Sequence, residues 1–148
     1  LRLDGLLTLN IAVPHELYDQ EVLKMSLQPI VENAIKHGII PNDQKNEGIL
    51  QVNARCSEDH IIIEIKDNGV GMTKEECESL NLSIQTGTEN QNPGSKGGNG
   101  IGIHNVNERI QLYYGTEYGV FVTSEKGAFT MVTVKLPSKI MKGGSRSV

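Results

Sequence analysis

The sequence predicts an α+β fold: a two-layer α/β sandwich with one mixed, mainly antiparallel sheet and helices on one of its faces. Three observations predict it. Stretches with strand character outnumber helical ones. Successive strands follow one another through short polar turns, so they pair mainly with sequence neighbours. The two longer helical stretches are amphipathic and need an apolar sheet face to cover. At 148 residues and 37% hydrophobic content the chain suits a single globular domain, expected over 1–138. Residues 139–148, which include Lys142-Gly143-Gly144-Ser145-Arg146-Ser147, are expected to be a disordered tail. The chain opens on Leu1 rather than Met, inside an apparent strand, and reads as a piece of a larger protein.

Taken in order, Leu6 to Val13 alternates apolar and polar residues and stops at Pro14, a half-buried strand. Residues 15–24 are a polar connection to Ser26, a candidate N-cap. Leu27, Ile30, Val31, Ala34 and Ile35 then recur at helical spacing up to Gly38, with Pro29 placed in the first turn, where a missing donor is tolerated. After a polar turn at 41–48, Ile49–Cys56 and Ile61–Asp67 form an antiparallel pair around Ser57-Glu58-Asp59-His60. Thr73-Lys74-Glu75-Glu76 is a capping box that starts a short helix over 73–82. From Ser83 to Gly100 there are five glycines, one proline and a single aliphatic residue, Ile84, the composition of a functional lid or a disordered connection. A second amphipathic helix presents Ile103, Val106, Ile110 and Tyr113 on one face and ends at Gly115. Tyr118–Ser124 and Thr130–Leu136 close the domain as a hairpin around Lys126-Gly127.

Composition removes several function classes. A net charge of −4 without a Lys/Arg cluster argues against a nucleic-acid surface, and four Tyr, two Phe and no Trp make a base-stacking platform improbable. The apolar runs are too short to span a bilayer, and no signal-peptide pattern opens the chain. Cys56 and Cys77 have no CxxC or ligand spacing and fit a reducing cytosol.

Three constellations carry chemistry. The first is Asp67-Asn68-Gly69-Val70-Gly71-Met72 after the β-branched run Ile61–Lys66. An aspartate at the inner end of a core strand needs a donor to face, and the glycines let something approach the backbone closely, as the amino edge of a purine would. A plain Asn68-Gly69 hairpin turn is the competing reading. The second is the polar arc Glu32, Asn33 and Lys36 on the first helix: a solvated face with an i,i+4 pair, or an amide oxygen for Mg²⁺, a carboxylate for base work and an ammonium for phosphate. The third is Gly98-Asn99-Gly100-Ile101-Gly102 at the start of the second helix, where bare N–H groups and the helix dipole favour an anion. It fits neither GxGxxG nor the P-loop pattern. Lys96 stands just before it, within reach of a terminal phosphate or as a solubilising charge. His37 suits the C-terminal dipole of its helix first and a phosphate second, and the four histidines share no metal spacing.

The order of these pieces is specific. Leu27-Gln28-Pro29-Ile30-Val31-Glu32-Asn33-Ala34-Ile35-Lys36-His37-Gly38 resembles the N box of bacterial two-component sensor histidine kinases. Asp67–Met72 resembles their first glycine box, and Gly98–Ile103 through Glu108-Arg109-Ile110 the second. The resemblance covers about 5–137, within the GHKL or Bergerat-fold ATP-binding superfamily, and lies nearest to the membrane-sensor kinases. It implies a catalytic domain that binds Mg·ATP and passes the γ-phosphoryl group to a histidine on a dimerisation domain elsewhere in the parent protein. Asp67 would accept from the adenine amino group, with Gly69, Gly71 and Met72 forming the slot and Thr130 supporting Asp67. Asn33 would hold Mg²⁺, and Glu32 would orient or activate the nucleophile as the catalytic residue. Lys36, His37, Lys96, Gly98, Gly100 and Gly102 would lie toward the phosphates. The resemblance further implies a homodimeric inner-membrane parent, a cytoplasmic location for this domain without direct membrane contact, and a response regulator as indirect partner. Ala128-Phe129 departs from the family's third glycine box, leaving Gly127 to make that bend. An anti-sigma-factor-type serine kinase and a non-catalytic nucleotide-sensing module are the alternatives.

Overall fold

The computed structural model describes residues 7–12, 21–36, 48–87 and 101–138. Its elements are β1 (Leu7–Ala12), α1 (Glu21–Ala34), β2 (Gly48–Cys56), β3 (His60–Asp67), α2 (Lys74–Thr86), α3 (Ile101–Tyr114), β4 (Gly119–Glu125) and β5 (Phe129–Pro137). They build one five-stranded sheet in the order β1-β2-β3-β5-β4. β1 runs parallel to β2 and every other pairing is antiparallel, which makes the sheet mixed, as the sequence predicts.

Strand periodicity decides which face is covered. Ile61, Ile63 and Ile65 of β3 are buried, together with Leu50 and Val52 of β2, Val120 and Val122 of β4, and Val132, Val134 and Leu136 of β5. They join Ile30, Ala34 and Ile35, Ile84, and Ile103, Val106 and Ile110 from the helices in one core cluster. Each fully buried aliphatic side chain contributes roughly 1.5–3 kcal/mol, so this cluster is the main source of stability.

Helix boundaries differ from those the sequence predicts. α1 begins at Glu21, so Ser26 is interior rather than an N-cap and Pro29 lies inside the helix rather than in its first turn. Glu, Leu, Lys and Met before Ser26 are strong helix formers, and they carry the helix N-terminally past the proline's lost bond. α2 has its expected capping box, with Glu76 N–H donating to Thr73 Oγ1 at 3.1 Å and Thr73 N–H donating to Glu76 Oε1 at 2.8 Å. It runs on to Thr86, however, with Ser83 and Ile84 buried, and closes on Gly87 at φ 78°. The glycine-rich stretch therefore starts after Gly87 instead of at Ser83, because Ile84 is a core residue. On α3, Tyr113 is 71% exposed and Tyr114 packs on the core in its place: the stripe Ile103, Val106, Ile110 continues at i+4, not i+3. The expected lid beyond residue 87 and the tail from 139 lie outside the described residues.

β4 is an edge strand, and helix side chains occupy its outward backbone groups. Asn81 accepts from Val122 N–H and donates to Val122 O, both at 2.8 Å, while Asn107, fully buried, accepts from Val120 N–H at 2.8 Å. Gln111 donates to Tyr118 O at 3.1 Å. These amides satisfy an edge that would otherwise offer unpaired donors and acceptors, and they lock α2 and α3 to the sheet.

Candidate functional site

The inner end of β3 brings Asp67 to the helical face, where it is 3% exposed. Its Oδ1 accepts from Gly69 N–H at 2.8 Å. Burial pushes its pKa from the ordinary 3.8 up to about 6, with the Gly69 hydrogen bond opposing the shift. Among the described residues no other group bonds this carboxylate, so its second oxygen is available to the cleft it faces.

The segment after Asp67 is not a hairpin turn. Asn68 continues the pairing with β2, its N–H donating to Ile49 O at 3.2 Å and its Oδ1 accepting from Ile49 N–H at 2.8 Å, and the chain then passes on to α2. Gly71 holds φ 68°, and a Cβ there would collide with the backbone carbonyl of Glu125. Val70 O accepts from Gly127 N–H at 2.7 Å, which seats the β4–β5 turn on the glycine segment.

A small hydroxyl network completes the floor. Thr130 is the register partner of Asp67 on β5. Its Oγ1 lies 2.9 Å from Ser124 Oγ, which accepts from Met72 N–H at 2.8 Å and donates to Phe129 O at 2.7 Å. Around these groups opens a cleft of about 510 Å³, counting its part open to solvent. Its walls are Val70, Gly71 and Met72 from the turn, Leu80 and Ile103 from α2 and α3, and Val122 and Val132 from the sheet. Asn33 and Ala34 of α1 close one side, and Asp67 and Thr130 supply polar groups. Apolar walls with a few convergent polar atoms suit a flat heterocycle that donates hydrogen bonds to a carboxylate.

Of the residues that the sequence singles out, Asn33, Asp67, Gly71, Met72 and Thr130 converge on this cleft. Gly69 is buried beside it and fixes Asp67. Glu32 and Lys36 are exposed on α1 and do not line it; Glu32 accepts from Gln28 at 3.2 Å rather than pairing with Lys36. Gly102 sits in the first turn of α3, where a Cβ would come within 4.0 Å of Pro29 Cβ, so the glycine lies against α1. His37, Lys96, Gly98 and Gly100 lie outside the described residues. Sequence reasoning missed Ser124 and Leu80. Ser124 continues the inward alternation of Val120 and Val122, and that alternation was the signal for it.

Residues 18–140 match the model of the family described as histidine kinase-, DNA gyrase B-, and HSP90-like ATPase. Among curated proteins, the sensor histidine kinase BtsS of Escherichia coli K12 is 32% identical over 136 residues, covering 92% of this chain and 20% of that protein. The sensor histidine kinase YesM of Bacillus subtilis is 30% identical over 116 residues, covering 78% of this chain and 17% of the relative. The chain thus spans about a fifth of the length of these relatives. Among solved structures, the catalytic domain of histidine kinase ThkA superposes with a TM-score of 0.62 at 14% identity, covering 88% of this chain and 80% of that one. The mycobacterial sensor histidine kinase MprB gives 0.59 at 18% identity, covering 88% and 83%. These likenesses carry the fold.

Proposed function

This chain belongs to the histidine kinase-, DNA gyrase B-, and HSP90-like ATPase family, and from that premise we propose that it is the ATP-binding, catalytic domain of a two-component sensor histidine kinase, spanning residues 1–138. The observation that carries the reading is the buried carboxylate of Asp67 in the lining of a largely apolar cleft, bonded among the described residues by Gly69 N–H alone. A pKa of about 6 leaves most of this carboxylate ionised at neutral pH, an acceptor for the exocyclic amino group of adenine. Gly71 and Met72 form the wall on which the base lies.

The donor set fits Mg²⁺ held largely by its nucleotide. Among the described residues there is no cluster of three or more His, Cys, Asp or Glu side chains that could cage a metal, whereas Asn33 places an amide at the cleft. Magnesium takes few protein oxygens and keeps waters and phosphates. Asn33 would hold it, and the ion would neutralise charge on the phosphates during transfer. Glu32, on the exposed side of the same helix turn, would orient the imidazole of an incoming acceptor histidine. Lys36, His37, Lys96, Gly98, Gly100 and Gly102 serve the phosphates.

The γ-phosphoryl group passes to a histidine on the dimerisation domain of the same parent, a homodimeric membrane sensor with this domain on the cytoplasmic side, and from there to a response regulator. Calorimetry with Mg·ATP, followed by transfer of labelled phosphate to an added dimerisation domain, tests the proposal. We expect micromolar to millimolar binding and acid-labile labelling of the added domain. Absence of binding at millimolar Mg·ATP overturns it, and labelling of a serine substrate redirects it to the serine-kinase branch of the family.

A further inference from the structure

The hydroxyl pair at the cleft floor has only one consistent arrangement of protons. Ser124 Oγ lies 2.7 Å from Phe129 O, a carbonyl that can only accept. Without a proton between them, two lone-pair oxygens at that separation would repel, so the single Ser124 proton is committed to Phe129 O. Ser124 Oγ then accepts from Met72 N–H at 2.8 Å, and its remaining lone pair meets Thr130 Oγ1 at 2.9 Å. The proton in that last contact has to come from Thr130. With its proton spent on Ser124, Thr130 Oγ1 shows only lone pairs to the cleft that it lines. Its register partner Asp67 is an acceptor as well.

We propose that Ser124 is a positioning residue for base selection: by fixing the direction of the Thr130 hydroxyl, it makes the cleft floor an all-acceptor surface that selects a 6-amino purine and rejects a 6-oxo purine. Ser124 does not touch the base, since it is not among the residues that line the cleft; it acts through Thr130. The same hydroxyl ties Met72 N–H to the β4–β5 hairpin, so the wall and the acceptor floor share one anchor. Removing it frees the Thr130 proton to turn into the cleft, where it becomes a donor that suits a 6-oxo group. The inference rests on the adenine-nucleotide reading above.

The test compares the affinities of the full chain for ADP and for inosine diphosphate, which differ in the 6-substituent, amino or oxo, and in the hydrogen that N1 carries beside the oxo group. The chain should prefer ADP. In Ser124→Ala that preference should fall by about fivefold, the value of one acceptor, through weaker ADP binding with inosine diphosphate held or improved. Ser124→Thr keeps the hydroxyl and should restore the preference. Should the alanine variant not fold, Ser124→Cys keeps the volume with a poor acceptor and should show the same loss. An unchanged preference in the alanine or cysteine variant, or equal weakening of both nucleotides, overturns the positioning role while leaving the nucleotide reading intact. A chain that binds neither nucleotide, or does not prefer ADP, brings down the adenine reading itself.

Discussion

Gly71 lies directly beneath the backbone carbonyl of Glu125, so that position 71 has no room for a side chain. The contact joins the turn after β3 to the β4–β5 hairpin and sets the wall of the cleft. Gly127 is the natural control. It also has positive φ, 81° against 68°, but a Cβ there meets nothing within 4 Å.

Gly127→Ala should therefore cost only the left-handed backbone term, about 1–2 kcal/mol. Gly71→Ala adds a collision with main chain that no rotamer relieves, so its cost should be larger, about 3–4 kcal/mol. Urea unfolding of both variants checks the ranking. Equal costs would mean that the hairpin yields freely and is no wall.

Asp67→Asn separates binding from stability. The wild-type carboxyl has its pKa raised to about 6, so the folded state holds the proton more tightly than the unfolded chain does. The stability associated with this group is present at low pH, is lost as pH rises from about 4 to about 6, and is flat above that. An amide keeps an acceptor for Gly69 N–H and removes the buried charge. The variant should gain about 1–3 kcal/mol relative to wild type at pH 7 and nothing at pH 4. Its NH₂ meets the adenine amino group as donor against donor, and ATP affinity should fall at least tenfold. Urea melts at the two pH values and calorimetry at pH 7 are the measurements. Unchanged ATP affinity would make Asp67 a structural turn residue.

Much of this was legible in the sequence because it followed from periodicity. The alternation of Ile61, Ile63 and Ile65 placed Asp67 on the covered face, and the capping box at Thr73 excluded a returning strand after Gly71. What periodicity could not give was tertiary. Ile84 looked like a stray aliphatic in a glycine-rich run, yet it belongs to the core, and only the partner helix reveals that. Periodicity put Tyr113 on the helical stripe at i+3, and the packing of α3 chose Tyr114 at i+4 instead. Alternation with Val120 and Val122 points Ser124 inward, but its value lies in three polar neighbours that only strand pairing and the glycine turn bring together. Asn81 and Asn107 were missed for the same reason: their partners are backbone groups of an edge strand distant in sequence.

Asn107 should prove the more costly of those two amides. It is buried, and truncation leaves Val120 N–H without its acceptor in an apolar setting, at about 2–3 kcal/mol. Asn81 is only partly buried, so water replaces much of what is lost in Asn81→Ala, and its cost should be about 1 kcal/mol. Amide exchange reports each contact directly. Asn107→Ala should speed exchange at Val120 and Asn81→Ala at Val122, while Val134 in the central sheet stays protected. Unaltered exchange at Val120 would show that the ladder, not the side chain, holds the edge.

Glu32 and Asn33 are adjacent in sequence yet face different surroundings, and that difference predicts how their variants divide. Asn33 lines the cleft, so Asn33→Ala should weaken ATP binding mainly when Mg²⁺ is present and leave Mg²⁺-free binding nearly unchanged. Glu32 is exposed, accepts only from Gln28 among the described residues, and does not line the cleft, so Glu32→Gln should leave Mg·ATP affinity within about twofold. Phosphoryl transfer to an added dimerisation domain should nonetheless drop by about 10²-fold in Glu32→Gln, the usual contribution of a positioned carboxylate that handles the nucleophile. The chain alone should not label itself at His104, whose Nδ1 is engaged with Ile84 O at 2.7 Å. Calorimetry with and without Mg²⁺, paired with single-turnover transfer, separates the two roles. Should Glu32→Gln lose binding and transfer in equal measure, Glu32 serves the nucleotide; should transfer survive intact, the nucleophile is oriented from the acceptor domain.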